Sequence, residues 1–114
     1  AQGRIDLHAL DGVDAVVNLA GAGIADKAWT EARKRELVDS RVQSAATLRE
    51  ALKTLGELPK IYVSASAIGY YGNSGERLMD ERDAPVEKSF MVDCCEQWED
   101  AAEKTGALGM RTVI

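Results

Sequence analysis

The sequence predicts an α/β fold with elements in the order β-α-β-α-β, the order of a doubly wound parallel sheet. Three observations predict it. Short apolar runs at residues 14–19, 60–65 and 109–114 have the continuous character of strands covered on both faces. Two longer segments between them, 30–55 and 87–104, carry apolar residues at helical spacing. Glycine, proline and other turn formers separate each segment from the next.

The first strand is Asp14-Ala-Val-Val-Asn-Leu19, which ends at Ala20-Gly21. Residues 22–28 are small or charged and read as a loop. Thr30 then suits an N-cap, with Glu31 at the positive end of the helix dipole. Beyond it Val42, Ala45, Leu48 and Leu52 recur at three- and four-residue steps, while Arg41, Arg49, Glu50 and Lys53 fall elsewhere. Gly56 is expected to end this helix, and Pro59 forbids any continuation. Ser40 is also a cap residue, so one helix or two stays open.

The second strand is Lys60 to Ala65. Residues 66–86 contain Gly69, Gly72, Asn73, Gly75 and Pro85 and read as a long ordered loop, a class that is usually functional inside compact domains. The next helix runs from about Glu87 to Lys104 with Phe90, Cys94, Trp98 and Ala101 along one stripe. Gly106 is expected to close it, before a last strand over Gly109 to Ile114.

Composition removes several classes of function. At 114 residues the chain is at most one domain, and with 46% hydrophobic and 29% charged residues it is neither disordered nor membrane-spanning. A net charge of −5 and a pI of 4.9 argue against nucleic acid as a partner, and no polybasic segment invites an anionic membrane. No signal-peptide pattern opens the sequence. Cys94 and Cys95 are adjacent, which rarely permits a disulfide, and with the single His8 they do not complete a zinc site. Reduced thiols and a cytoplasmic location are the expectation. No metal is expected, and Asp80, Glu81 and Asp83 read as a solvated cluster without calcium-loop spacing.

The segment from Ile61 to Gly72 carries the chemistry. A strand runs directly into small hydroxyl residues and then paired tyrosines, which puts Ser64, Ser66, Tyr70 and Tyr71 at the carboxyl end of a parallel strand. That is where such sheets present their ligand sites. No G-x-G-x-x-G or G-x-x-x-x-G-K occurs in the sequence, so the chain reads as the middle of a larger fold.

Several motifs in the same order carry a family likeness. These are Asp14-Ala-Val-Val-Asn-Leu-Ala-Gly21, Trp29-Thr30, Ser40-Arg41, Ser64-Ala-Ser-Ala-Ile-Gly-Tyr-Tyr-Gly72 and Cys95-x-x-Trp98-Glu99. Together they resemble the atypical extended short-chain dehydrogenase/reductases, in particular the sugar-nucleotide epimerase-like group also labelled cell-division-inhibitor-like. The likeness runs from about Gly3 to Ile114. It implies the central part of a Rossmann-type domain that binds NADP, or alternatively NAD, with the glycine loop upstream and the substrate half downstream.

By the same resemblance Asn18, Leu19, Ala20 and Gly21 flank the cofactor, and Ser64, near Ser66 on the same strand face by period two, is expected to contact it as well. Ser66 matches the serine that hydrogen-bonds a substrate hydroxyl or carbonyl in typical members. Two departures qualify the chemistry. Where typical members place Tyr-x-x-x-Lys on the following helix, this chain has Cys94 and Trp98. Either Tyr70 or Tyr71 takes the proton-transfer role from the loop, or the redox step is lost. On the earlier helix typical members have Asn-Val-x-Gly-Thr, and this chain has Arg41-Val42-Gln43-Ser44-Ala45. Arg41 then either faces an anionic group or pairs with Asp39 or Glu36 on a solvated surface. Trp29 and Trp98 read as packing residues, and neither cysteine reads as a nucleophile.

The expected function is an NAD(P)-dependent oxidoreductase or epimerase acting on a sugar nucleotide or similar polar substrate. The alternative is an NAD(P)-binding module without turnover, a sensor or assembly factor. Related enzymes often pair as homodimers through the two helices, and the resemblance extends that expectation to residues 30–55 and 87–105.

Overall fold

The computed structural model describes residues 3–114. Its three strands, β1 (Ala15–Asn18), β2 (Ile61–Ser64) and β3 (Arg111–Val113), form one parallel sheet in the order β1-β2-β3. Asn18 lies opposite Ser64 across the first pair, and Val63 lies opposite both Val17 and Val113. Two helices cross between the strands, α1 (Glu31–Leu52) and α2 (Phe90–Gly106). They pack on each other and on the same face of the sheet.

Alternation along the strands sorts the two faces. Tyr62 and Ser64 of β2 point to the helices and are buried, as is Asn18 of β1. Tyr62, fully buried, is the centre of a cluster with Leu10, Leu48, Ala51, Leu52, Ala102 and Met110. Its leucine and methionine side chains contribute about 1.5–3 kcal/mol each when fully buried, and the cluster joins both helices to β2. The opposite face carries the in-register row Val17, Val63 and Val113, of which Val17 is 59% exposed.

The strands are shorter than expected at both ends, for local reasons. β1 stops at Asn18 because its side-chain Oδ1 accepts the Ala20 N–H at 3.1 Å, turning the chain out of the ladder. β3 begins late because Gly109 has φ +124°, a turn conformation that no strand residue adopts.

The helices also end differently. The segment 31–52 is one helix, and Ser40 lies inside it. Ser40 Oγ donates to the Leu37 carbonyl and accepts the Ala22 N–H at 3.0 Å, tying the loop after β1 to the helix. Thr30 is the N-cap of α1, accepting from Arg33 N, a contact worth about 1 kcal/mol. The helix ends at Leu52, four residues before Gly56, through tight turns from Thr54 N to Ala51 O and Leu55 N to Leu52 O. α2 starts at Phe90 with Ser89 as N-cap, later than expected, and continues through Gly106. Gly106 therefore does not close the helix from outside. It lets α2 approach β3: a Cβ there would lie 2.9 Å from Thr112 Cβ, with Thr112 Oγ1 nearer still.

Two short 3-10 helices complete the fold. Leu7–Leu10, in a segment with no predicted element, buries Leu10 in the core. Ile68–Tyr71 gives the long loop after β2 its shape. Among the described residues no helix is long and apolar enough to cross a membrane, and no group of His, Cys, Asp or Glu is placed to hold a metal ion.

Candidate functional site

Both full crossovers leave their loops at the carboxyl end of the sheet, and the predicted residues gather there. At the end of β1, Asn18 is buried and its Nδ2 donates to the Tyr62 hydroxyl at 3.3 Å. This side chain thus links two strands and shapes the exit turn in a single arrangement. Leu19 beyond it is 72% exposed, and Ala20 and Gly21 are exposed as well. Ala20, Gly21 and Ala22 face Ser40 and Ser44 of α1 across an open cleft of about 610 Å³. No side chain from this turn larger than a methyl group intrudes on the cleft.

At the end of β2 the two serines part company. Ser64 is buried opposite Asn18, and its hydroxyl donates to the neighbouring Ala65 carbonyl at 3.1 Å. That is a local backbone bond. Ser66 makes no such bond. Its hydroxyl donates to the Glu99 carboxylate on α2, 33 residues away in sequence. The sequence alone does not single out Glu99, although it closes the Cys95-x-x-Trp98-Glu99 motif. The available signal was its four-residue step from Cys95, which puts both on one helical face.

Arg41 of α1 and Cys94, Cys95 and Trp98 of α2 meet Ser66 around a small cavity of about 180 Å³. Arg41, Ser66, Cys94 and Trp98, which the resemblance aligns with the typical Asn, Ser and Tyr-x-x-x-Lys groups, thus converge, with only the serine kept. Arg41 pairs with neither Asp39 nor Glu36. Its Nη1 donates to the Leu37 and Ala22 carbonyls, and its Cζ sits 4.7 Å from the Trp98 ring centroid. The guanidinium stacks on an aromatic face, a contact worth upward of about 0.5 kcal/mol. Trp98 is buried as packing, although its Nε1 has no hydrogen-bond partner among the described residues. Trp29 is half-exposed and holds the loop after β1, donating to the Ile24 carbonyl at 2.9 Å and meeting the Phe90 ring edge-on.

Both cysteines are free and buried. Desolvation pushes both thiols up from their ordinary value, and for Cys95 the neighbouring Cys94 and Glu99 add to it. Arg41 opposes the shift at each and does not overcome it. Protonated thiols are poor nucleophiles at neutral pH.

Tyr70 and Tyr71 lie on the other side of Ser66, edge to face at 5.4 Å between ring centroids. With Ser66, Glu81 and Glu99 they border a second, open cavity of about 470 Å³. Burial raises the Tyr71 pKa first, and the carboxylates of Glu81, Asp80, Asp83 and Glu99 raise it further. A lysine beside a catalytic tyrosine does the reverse. The acidic cluster read as merely solvated is also internally bonded: Asp80 and Arg82 pair at 2.7 Å, and Asp83 accepts the Asp80 N–H at 2.8 Å. The Arg82 contacts hold the Asp80 carboxyl below its usual range.

Comparison with known proteins fits this geometry. Residues 4–92 match the NAD dependent epimerase/dehydratase family. An epimerase family protein of Mycobacterium bovis, Mb2239, is 41% identical over 112 residues, 98% of this chain and 36% of that protein. YfhF of Bacillus subtilis, also an epimerase family protein, is 31% identical over 99% of this chain and 37% of its own length. Among solved structures, human epimerase family protein SDR39U1 (isoform 2), crystallised with NADPH, superposes with a TM-score of 0.74 at 29% identity. That match covers 90% of this chain and 37% of the human one. The chain therefore spans little more than a third of the length of these relatives.

Proposed function

Because the chain belongs to the NAD dependent epimerase/dehydratase family, we propose that it forms the central part of a nicotinamide-dependent oxidoreductase or epimerase with a polar, hydroxylated substrate. One observation carries the reading: Ser66 stands free of local backbone bonds at the carboxyl end of β2, between two cavities. The residues present also fit a dinucleotide: the Ala20-Gly21-Ala22 turn puts no side chain larger than a methyl group into the cleft, whose other walls include Arg35, Glu36 and Asp39, and Asn18 and Ala20 line a second cavity that shares Gln43 and Ser44 with it. In this reading Asn18, Leu19, Ala20 and Gly21 border the cofactor, with Ser64 behind them holding the β1–β2 exit rigid. When bound, the nicotinamide supplies a hydride acceptor or donor.

The chain's own residues then orient the substrate. Ser66 hydrogen-bonds the reacting oxygen, and Tyr70 or Tyr71 contacts it from the far side. NADP is the preferred dinucleotide on the strength of the NADPH bound to the human neighbour. Sugar nucleotides are the proposed substrate class, after the nucleoside-diphosphate sugar epimerase of Corynebacterium glutamicum, which superposes at TM-score 0.70 and 28% identity.

A second reading has its own support. With Cys94 and Trp98 in place of the usual pair and both thiols held protonated, the site suits a dinucleotide-binding module without turnover. Titrating the full-length protein with NADPH and NADH, then screening UDP-glucose, UDP-galactose and GDP-mannose for hydride transfer, separates the two. Turnover that falls at least tenfold in Ser66→Ala supports the enzyme. Tight dinucleotide binding with no turnover on any of the three supports the module.

A further inference from the structure

The site has an unfilled role. A dehydrogenase that oxidises an alcohol needs a group to take the hydroxyl proton, and the usual tyrosine and lysine are absent. Among the described residues most of the obvious substitutes fail, and Tyr70 is left, bordering the same cavity as Ser66 and Glu99. Tyr71 is pushed up by burial and by four carboxylates, so it stays a neutral phenol. Cys94 and Cys95 are buried and held protonated. Lys104, the one lysine of α2, pairs with Asp100 at the exposed end of the helix. Arg41 carries a permanent charge and accepts nothing.

We propose that Ser66 and Glu99 form the proton-accepting pair of this site, with Ser66 touching the substrate and Glu99 acting through it as the positioning residue. The inference rests on the dehydrogenase or epimerase reading above. Its geometric basis is independent of that reading: the Ser66 hydroxyl donates to the Glu99 carboxylate between the end of β2 and α2. A serine hydroxyl has one hydrogen. With that hydrogen committed to Glu99, the remaining lone pairs of Oγ are what an incoming ligand meets. Ser66 is thereby set to accept a hydrogen bond, which selects a hydroxyl over a carbonyl as the group that docks first.

Tyr70, Tyr71 and Glu81 border the same cavity as Glu99, and Cys95 lies one turn back on α2. Asp80 and Asp83 act on the same tyrosine. Glu99 has no salt-bridge partner among the described residues, so no cation competes for its oxygens. In the step itself the substrate C–H and O–H bonds break and a C=O bond forms. The hydride, with its electron pair, passes to the oxidised nicotinamide. The hydroxyl proton passes to Ser66 Oγ as Ser66 hands its own proton to Glu99. In the reverse direction the carboxyl returns the proton by the same path.

Two measurements on the full-length protein test this. The first needs no substrate. In protein labelled with carboxyl-13C glutamate, infrared difference spectra of Glu99→Gln identify the Glu99 carboxylate band. That band is expected to move in Ser66→Ala, and a band unmoved by the loss of Ser66 overturns the pair.

The second measures turnover on UDP-glucose or UDP-galactose with NADP+. Glu99→Gln is expected to lower kcat about 100-fold, within the range typical of acid–base groups, while Kd for NADPH stays within about twofold of the unsubstituted protein. Glu99→Asp should recover part of the loss, and Ser66→Ala/Glu99→Gln should be no slower than Ser66→Ala alone. An unchanged kcat in Glu99→Gln, or fully additive losses in the double variant, overturns the inference and leaves the parent reading standing. Failure of the unsubstituted protein to turn over either sugar nucleotide overturns the parent reading, and the catalytic role of the pair with it.

Discussion

Tyr71 faces Glu81, Asp80, Asp83 and Glu99, and each of those carboxylates makes its phenolate harder to form. Such a side chain donates a hydrogen bond at neutral pH and does not abstract a proton. In a difference titration of phenolate absorbance, the amplitude lost in Tyr71→Phe is expected above the ordinary tyrosine value of about 10; amplitude lost below it would contradict the placement. The two thiols answer a related question with a definite sign. Burial raises their folded pKa values above those of the unfolded chain. Their contribution to stability is therefore intact below the ordinary thiol value of about 8.5 and is lost as pH rises through the raised folded values. Chemical denaturation across that range should show stability falling with pH, and Cys94→Ala/Cys95→Ala should flatten the fall. An equal slope in both proteins would mean that the thiols ionise without cost. At neutral pH the same burial predicts labelling by a thiol reagent only as fast as the region opens.

The helices were legible as elements and less so at their ends, and the reason differs from end to end. Thr30 could be read because a cap and an acidic first turn sit together in sequence. The start of α2 is expected too early, at about Glu87, although Ser89 is the cap and Asp93 supplies an acidic first turn. Gly56 drew the end of α1 too far because a glycine after a helix is a common stop; here the chain turns earlier through Thr54, whose hydroxyl donates to the Ala51 carbonyl at 2.7 Å. Gly106 looked like another stop, and its actual reason is tertiary. A methyl group at this position would drive α2 off β3 at Thr112. Gly106→Ala is thus expected to destabilise the protein by about 1–3 kcal/mol, the usual range for overpacking, even though alanine is the better helix former. Thr112→Ala, which removes the Oγ1 and Cγ2 contacts but not the Cβ, should recover part of that loss in the double variant. A Gly106→Ala protein more stable than its parent would show that the two elements can slide apart freely.

For the molecule as a whole, the strand-end segments of the site could be read because one run of residues, 61–72, fixes both the end of β2 and the side chains that come after it. Glu99 could not, because its role depends on a contact across 33 residues that only the packing of α2 on the sheet creates. The sheet's second face is a consequence at the same scale. In-register pairing aligns Val17, Val63 and Val113 in one row, and Ala15 and Ile61 in the next, on the side away from both helices. Val17 and Val113 are 59% and 41% exposed, so this row meets solvent when the 114 residues stand alone. Strands that read as continuous apolar runs are those covered on both faces, and contiguous exposed apolar surface favours association. Prepared as these 114 residues alone, the chain is expected to self-associate, as measured by sedimentation. Val17→Lys/Val113→Lys should shift it toward monomer with little change in the core around Tyr62, since both side chains point away from it. In a longer chain that covers this face, the same two lysines would be buried without partners and should instead destabilise by several kcal/mol. Equal effects in the short and long chains would mean that the row is uncovered in both.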